Sequence, residues 1–184
     1  MIFTKYRYKL DYHWKEFYRG TKYKRHALRI LNWVKEKAVL DIGCGDGMIT
    51  FLLGAVGVDD EQSGIDIAKQ KGVDVLLASC YKLPFEDGVF DSALMADVLE
   101  HLDKPEEALR EARRVITDYL YITTPPANIT PGKLLDKFHV QEWSPEELKT
   151  LVEGQGFELV GDIEVVMEEK NMYSKFRKKS NLQQ

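Results

Sequence analysis

The stretch Val39-Leu40-Asp41-Ile42-Gly43-Cys44-Gly45-Asp46-Gly47 decides the fold of this 184-residue chain. Its first residues belong to a predicted buried strand, Ala38–Ile42, and the glycines that follow let the backbone turn tightly into a helix near Met48–Gly54. A glycine loop between a strand and a helix is typical of a site where the backbone approaches a ligand closely. Because the motif alone also fits a simple tight turn, the rest of the chain has to support the interpretation.

Downstream of the glycine loop, apolar runs of strand length alternate with helical patterns. This alternation predicts an α/β fold with a parallel, doubly wound sheet and helices on both faces. Further strands are predicted at Ser63–Ile67, Val73–Ala78, Phe90–Ala96, Tyr119–Thr123 and within Phe157–Val166, and helices within Asp11–Lys37, at about Lys104–Ile116 and from Ser144 to about Gly154. Ligands of such sheets bind at the carboxyl ends of the strands, so candidate site residues are sought there.

Composition and charge exclude several classes of protein. The hydrophobic fraction of 44% argues against disorder, and no apolar run approaches the roughly 20 residues of a membrane helix. The N-terminus lacks the apolar core of a signal peptide, so we expect a cytoplasmic protein. The two cysteines are then expected to be reduced thiols, and two cysteines make no zinc cluster.

The charge distribution divides the chain into three segments. Residues 1–37 carry 11 basic and 3 acidic side chains, residues 38–169 carry 10 and 27, and residues 170–184 carry 5 and none, which gives the formal net charge of −4. We expect an N-terminal helical lid or arm (1–37), a globular body (38–169) and a basic C-terminal tail (170–184), which we expect to be frayed and solvated.

Two acids at predicted strand ends indicate the kind of ligand. A dinucleotide pyrophosphate prefers helix N-terminal amides without a nearby carboxylate, so Asp41 disfavours a nicotinamide dehydrogenase. An acid at this place suits a ligand that carries a cation, such as an amino group or a sulfonium. Asp66 ends the predicted second strand, where an acid accepts hydrogen bonds from ribose hydroxyls, and Ile67 would offer an apolar surface to an adenine ring.

These residues, together with LPFEDGVFD (83–91), MADVLEHL (95–102) and HVQEWSPEEL (139–148), resemble a class I S-adenosylmethionine-dependent methyltransferase of the type 11-like, small-molecule branch. The resemblance covers roughly residues 38–165. It implies a Rossmann-like methyltransferase fold, whose mostly parallel sheet has seven strands and a reversed final hairpin. Little after Val166 suggests a last strand, so we expect that hairpin to be shortened or altered.

The resemblance also assigns cofactor contacts for S-adenosylmethionine, the cofactor that it implies. It places the methionine end and the sugar near the glycine loop, the ribose diol on Asp66 and the adenine beside Ile67. Ser79 stands where the family usually carries an Asp facing the adenine amino group, so we expect some loss of affinity there. The complete set of predicted cofactor residues is Asp41, Gly43, Cys44, Gly45, Asp66, Ile67, Ser79, Cys80, Met95 and Ala96.

The segment after the fourth predicted strand brings acids and a histidine together. Asp97, Glu100 and His101 share one face of a helical turn, and His139 could join them. This set resembles the divalent-metal site of small-RNA 3′-terminal 2′-O-methyltransferases, with Asp97 where those enzymes have Glu. A bound metal could ease deprotonation of a substrate hydroxyl as a Lewis acid. The alternative is a metal-free turn, in which Glu100 and His101 cap or pack locally.

A base is needed only when the methyl acceptor arrives protonated, and His101 and His139 are the predicted candidates because imidazole titrates near neutral pH. Met95-Ala96-Asp97-Val98 lacks the signatures of DNA amino-methyltransferases and of cytosine C5 enzymes. The aromatic and basic N-terminal segment predicts either a helix packed on the sheet or an RNA contact surface.

The leading functional prediction is methyl transfer to an O or N atom of a small molecule by in-line displacement. The alternatives are an RNA ribose or base methyltransferase and a non-catalytic cofactor-binding protein. The predicted partner is a small-molecule acceptor, with RNA as the alternative and no membrane, and the sequence says nothing of the oligomeric state.

Overall fold

The computed structural model describes residues 11–127 and 137–180. Their helices are α1 (Tyr12–Tyr18), α2 (Lys22–Trp33), α3 (Met48–Leu53), α4 (Gln62–Gln70), α5 (Pro105–Val115) and α6 (Pro145–Glu153). The strands are β1 (Val39–Ile42), β2 (Val56–Asp59), β3 (Val75–Leu77), β4 (Phe90–Ala96), β5 (Ile116–Thr124), β6 (Phe157–Leu159), β7 (Glu164–Val166) and β8 (Asn171–Lys178).

The strands form one sheet in the order β3-β2-β1-β4-β5-β8-β6, and β7 pairs with β8 beside β6. Strands β1 to β5 are mutually parallel, whereas β8 runs antiparallel to β5 and to both β6 and β7. The strand order reverses between β1 and β4, so a ligand crevice is expected outside the carboxyl ends of these two strands. The prediction of a mostly parallel, doubly wound α/β fold is confirmed.

Local sequence signals explain most helix boundaries. Ser144 and Glu147 form a reciprocal capping box at the start of α6, as their spacing predicts. Pro105 occupies the first turn of α5, followed by two glutamates near the positive end of the helix dipole. Thr21 caps α2 by accepting a hydrogen bond from the backbone N–H of Tyr23.

The predicted second strand, Ser63–Ile67, is wrong. These residues lie within α4, because Gly64, Ile65 and Ala68 are buried at the spacing of one helical face. The second strand is the earlier run Val56-Gly57-Val58-Asp59. Gly57 is required there because a Cβ at this position would lie 2.9 Å from Sγ of Cys44 in the glycine loop.

The predicted frayed C-terminal tail is also wrong for residues 171–178. They form β8, an eight-residue strand inserted between β5 and β6, so the final hairpin is not shortened. Met172, Ser174 and Phe176 are completely buried. Lys175 is tolerated between them because its ammonium lies 3.7 Å from the ring centroid of Tyr119 and 3.3 Å from a carboxylate oxygen of Glu36.

Apolar layers cover both faces of the sheet. On one face α5 and α6 pack on strand residues such as Leu120 and Phe176. On the other face α2 packs through Ala27 and Ile30. The expected helices of the N-terminal segment are confirmed as α1 and α2, in which Trp14 is buried whereas Tyr18 is 73% exposed. Within 11–127 and 137–180, no helix combines the length and apolarity that crossing a bilayer requires.

Candidate functional site

The glycine loop leaves β1 and packs directly on the segment that follows β4. Gly43 and Gly45 have φ angles of +78° and +57°, which favour glycine. The N–H groups of Gly43 and Cys44 both donate to the carbonyl oxygen of Val58, at 2.8 and 3.0 Å. A Cβ at Gly43 would lie only 2.5 Å from Cγ2 of Val98, so the loop tolerates no side chain there.

Asp41 is buried at the carboxyl end of β1. The hydroxyl of Thr50 donates a 2.6 Å hydrogen bond to its carboxylate, from the first turn of the helix that follows the loop. Burial raises the pKa of Asp41 to about 7, and the nearby Asp59 charge adds to this effect. An acid that is so costly to ionise would be stabilised by a cationic ligand group placed next to it.

The acid that ends the second strand is Asp59, and the prediction that Asp66 holds this position is wrong. Asp66 lies on the exposed side of α4, where it accepts a hydrogen bond from Gln62. Ile67, on the same helix, packs in the cluster around Trp14 and Val73. Neither residue stands at a strand end, because the strand–helix boundary precedes both of them.

Asp59 is held tightly against the glycine loop. One carboxylate oxygen accepts from the N–H of Gly45 at 2.8 Å, and the other accepts from the N–H of Glu61 at 2.8 Å. Burial raises its pKa to about 6. Sequence reasoning missed Asp59, although Val-Gly-Val-Asp is a strand-like run that ends in an acid.

The other predicted cofactor residues lie around the same crevice. Ser79 and Cys80 are half-buried in the loop after β3, and the hydroxyl of Ser79 accepts from the N–H of Tyr81. Burial raises the pKa of the Cys80 thiol to about 12 and that of Cys44 still further. Both sulfurs are therefore thiols at neutral pH and poor nucleophiles.

The end of β4 contains the last two predicted cofactor residues. Met95 is completely buried in the core cluster, and Ala96 is half-buried. Ala96 therefore has surface at the carboxyl end of β4, whereas the Met95 side chain is enclosed by the core.

Helix α1 contacts the glycine loop at Asp46, a loop residue that was not among the predicted site residues. The N–H of His13 donates to the Asp46 carboxylate at 2.9 Å, and His13 Nδ1 lies 3.1 Å from the other oxygen. The indole N–H of Trp14 donates to the backbone carbonyl of Asp46 at 2.8 Å. Helix α1 therefore contacts the glycine loop, and the role of residues 1–37 as a lid or arm stays a prediction.

Glu100, His101 and His139 come together as expected, with one ligand atom of each within 4.8 Å of the others. Glu100 is buried, which raises its pKa well above the usual range, and one of its oxygens accepts a hydrogen bond from Thr124 at 3.0 Å. Among the described residues, the other oxygen, Oε1, has no hydrogen-bond partner.

Both histidine rings in this cluster are oriented through Nδ1. Nδ1 of His139 lies 2.5 Å from a carboxylate oxygen of Glu142, and Nδ1 of His101 lies 3.1 Å from the carbonyl oxygen of Phe138. Such contacts direct Nε2 of each ring away from the carboxylate or carbonyl that fixes it.

Asp97 does not belong to this cluster, unlike in the predicted metal set. Its Oδ1 accepts from the Thr123 hydroxyl at 2.9 Å and from the Asn171 amide at 2.7 Å. Its Oδ2 lies 3.6 Å from Nε2 of His26. Asp97 is thus engaged by β5, β8 and α2, because its positive φ turns the chain before the 3-10 turn at Leu99–His101 begins.

Comparisons with known proteins agree with this fold and this loop. Residues 40–119 match a family described as a methyltransferase domain. A probable S-adenosylmethionine-dependent methyltransferase of Mycobacterium tuberculosis is 28% identical over 150 residues, which cover 73% of this chain and 55% of that protein. A tRNA (carboxymethyluridine(34)-5-O)-methyltransferase of Arabidopsis thaliana is 31% identical over 57% of this chain and 30% of its own length.

Among solved structures, a Thermotoga maritima protein described as an S-adenosylmethionine-dependent methyltransferase and possible histamine N-methyltransferase is similar, with 26% identity and a TM-score of 0.70. The match covers 84% of this chain and 87% of that one. The chain spans only 31%, 38% and 55% of the length of three curated relatives that it matches. In sequence and fold the chain is therefore similar to S-adenosylmethionine-dependent methyltransferases, and its residues 40–119 match the methyltransferase-domain family.

Proposed function

We propose that this chain transfers the methyl group of S-adenosylmethionine to an oxygen or nitrogen atom of a small-molecule acceptor. The main support for this proposal is the pair of buried acids, Asp41 and Asp59, on either side of a glycine loop that admits no side chain at Gly43. When bound, this cofactor supplies a methyl group on a cationic sulfur. The protein then mainly has to align the acceptor, and alignment can contribute roughly 7–11 kcal/mol.

The residues present fit this cofactor. Asp41, with its raised pKa, suits the cationic methionine end, and the backbone of Gly43 and Gly45 suits close approach of the ligand. We assign the ribose diol to Asp59 in place of Asp66, because Asp59 ends β2 beside the loop. Cys44, Ser79, Cys80 and Ala96 complete the proposed lining, and Met95 supports it from the core.

A direct test is calorimetric titration of the full chain with S-adenosylmethionine and with its demethylated product. We expect binding of both ligands, and turnover with labelled cofactor in a screen of pooled metabolites. Binding without turnover on any acceptor class would instead favour the non-catalytic alternative.

The Glu100–His101–His139 cluster is proposed as a divalent-cation site on the acceptor side. The specific observation in its favour is Oε1 of Glu100, which is buried without a hydrogen-bond partner among the described residues, next to two imidazoles oriented through Nδ1. A cation there would supply Lewis acidity towards a substrate hydroxyl. Asp97, the fourth predicted ligand, is left out because its carboxylate does not lie with the three ligand atoms that converge within 4.8 Å.

Titration with Mg²⁺, Mn²⁺ and Zn²⁺ in the presence of cofactor tests this site. We expect one ion to bind and the Glu100→Gln variant to lose it, while Glu106→Gln, an exposed control on α5, keeps it. If no ion binds, the simpler proposal is that His101 and His139 act as bases on the acceptor side.

RNA remains the second candidate acceptor, supported by the partial similarity to the Arabidopsis tRNA enzyme and by the basic N-terminal helices. Several of those cations are already paired within the fold, such as Lys15 with Asp11 and Arg19 with Glu16. A salt titration of tRNA binding discriminates the two acceptors, because phosphate contacts make affinity fall steeply with salt.

A further inference from the structure

Asp97 occupies a strained position at the crevice. It follows β4 directly with φ +55°, and Lys170 is the only other non-glycine residue with positive φ in the described part of the chain. Such a conformation is unfavourable for a residue with a side chain and persists only where its surroundings hold it. The next residue, Val98, packs on Gly43, so Asp97 stands beside the proposed cofactor loop.

The two carboxylate oxygens of Asp97 have different surroundings. Oδ1 accepts two hydrogen bonds, from Thr123 and from the buried amide of Asn171. Oδ2 faces Nε2 of His26 at 3.6 Å, and the side chain as a whole is 43% exposed. One oxygen is thus held in place while the other is open to a ligand in the crevice.

The tautomer of His26 follows from its other neighbours. His26 is buried, and its Nδ1 lies 2.6 Å from the hydroxyl oxygen of Tyr173. The Tyr173 hydroxyl in turn donates to the Glu169 carboxylate, which is paired with Arg29 at 3.5 Å. Burial and the Glu169 contact raise the pKa of Tyr173 far above its usual value, so the phenol keeps its proton.

Because the phenol proton points to Glu169, the Tyr173 oxygen can only accept from His26, and Nδ1 of His26 must carry the hydrogen. In the neutral ring Nε2 then has a lone pair. Nε2 has no hydrogen-bond partner among the described residues. In the neutral form of the ring, Nε2 of His26 and Oδ2 of Asp97 are two acceptor atoms that face each other at 3.6 Å, which is too long for a hydrogen bond.

We propose that Asp97 and His26 form a proton-accepting pair that takes the proton of the methyl acceptor, with Tyr173 and Glu169 fixing the His26 tautomer. This inference rests on the proposed methyl transfer and assigns its proton to the β4 end rather than to His101 or His139. The acceptor class that fits is an alcohol, phenol or protonated amine. A carboxylate arrives without a proton and would be repelled by Asp97.

The step balances as follows for an alcohol. The acceptor oxygen forms a bond to the methyl carbon, the carbon–sulfur bond breaks, and its electron pair goes to the sulfur, which becomes neutral. The hydroxyl proton passes to Oδ2 of Asp97, where Nε2 of His26 shares it. Among the described residues, the charged and titratable groups around this pair include Tyr23 and Arg29 on α2, Glu100 on the 3-10 turn, Glu169 before β8, and Tyr173 on β8.

The first test needs no acceptor. Nitrogen NMR of the ¹⁵N-histidine-labelled full chain, which has four histidines, reports the protonation of each ring nitrogen. With His26 assigned through His26→Gln, we expect the Nδ1-protonated neutral tautomer at neutral pH. Tyr173→Phe removes the oxygen that accepts from Nδ1, so His26 should no longer favour this tautomer, whereas the fold should be unchanged. A His26 ring protonated at Nε2 in the wild-type chain would overturn the proposal.

The second test uses an alcohol or phenol acceptor from the metabolite screen. Asp97→Asn should lower kcat by about 100- to 10,000-fold, the usual range for general-base catalysis, and should leave cofactor affinity unchanged. Asp162→Asn, an exposed control with the same charge change, should leave kcat unchanged. An unaltered kcat and pH profile in Asp97→Asn would contradict the proton-accepting pair. Failure of the wild-type chain to bind S-adenosylmethionine would instead contradict the proposed function, and the NMR result on His26 would still stand.

Discussion

Val98 fills the space that a side chain at Gly43 would need, with its Cγ2 atom 2.5 Å from the position of the missing Cβ. The contact joins the loop after β1 to the segment after β4, the two strands between which the strand order reverses. It therefore fixes the width of the crevice in which cofactor and acceptor are proposed to meet.

Gly43→Ala is expected to abolish cofactor binding and to destabilise the fold by more than about 1–3 kcal/mol, because it adds a steric clash to a strained φ. Gly72→Ala is the matched control. Its φ of +76° is nearly the same, but no atom lies within 4 Å of the added methyl. Equal melting temperatures and cofactor affinities for the two variants would refute the close-packing argument.

Asp59→Asn is expected to weaken S-adenosylmethionine binding by about 10- to 100-fold, since a hydrogen bond to a charged group contributes roughly 1.5–3 kcal/mol. Asp66→Asn should bind the cofactor as the wild type does. Isothermal titration of both variants measures the difference. A large effect at Asp66 alone would restore the sequence-based assignment.

Asp41→Asn is expected to stabilise the ligand-free protein at pH 8 and to do so less as the pH falls to 4. The carboxyl has a pKa of about 7 in the folded chain and a usual value of 3.8, so the folded state binds the proton more tightly. The stability contributed by this group is therefore present below about pH 4 and is lost as the pH rises through 7. At about 1.4 kcal/mol per pH unit, the loss is roughly 4 kcal/mol.

Denaturant unfolding at several pH values measures this effect, with Asp74→Asn as an exposed control. The same Asp41 variant should lose cofactor affinity. A stability difference from wild type that stays constant between pH 4 and pH 8 would show that Asp41 does not titrate in this range.

Phe176→Ala is expected to cost about 3–5 kcal/mol, because the ring is fully buried in the strand between β5 and β6. Phe51→Ala removes the same ring from a position that is 50% exposed and should cost clearly less. Urea unfolding of both variants provides the comparison, and similar losses would argue against a structural role for β8.

The sequence was sufficient for elements with strong local signals. The glycine loop, the capping box of α6 and the apolar run of β4 were predicted near their observed positions. Two errors, the strand predicted at Ser63–Ile67 and the missed strand β2, share a physical cause, because short segments carry little periodicity. Gly64-Ile65-Asp66-Ile67 alternates like a strand, but its helical face becomes evident only when Ala68 is included.

Strand β8 was missed for a different reason. Its lysines and arginine suggest solvent, and only tertiary contacts, such as that of Lys175 with Tyr119, make them compatible with a central strand. The same limit applies to the site. His26 lies 71 residues before Asp97 in a different element, so no local spacing could have predicted their contact.

The position of β8 in the sheet also has a consequence for biosynthesis. Strands β6 and β7 have no partner in the sheet until residues 171–178 have been made, although both precede them in the chain. Until then, β5 is an open edge that carries Tyr121 and Ile122, a template for pairing with other chains. A chain truncated before residue 171 would therefore be prone to aggregation and would also lack Asn171 and Tyr173, the residues that contact Asp97 and His26.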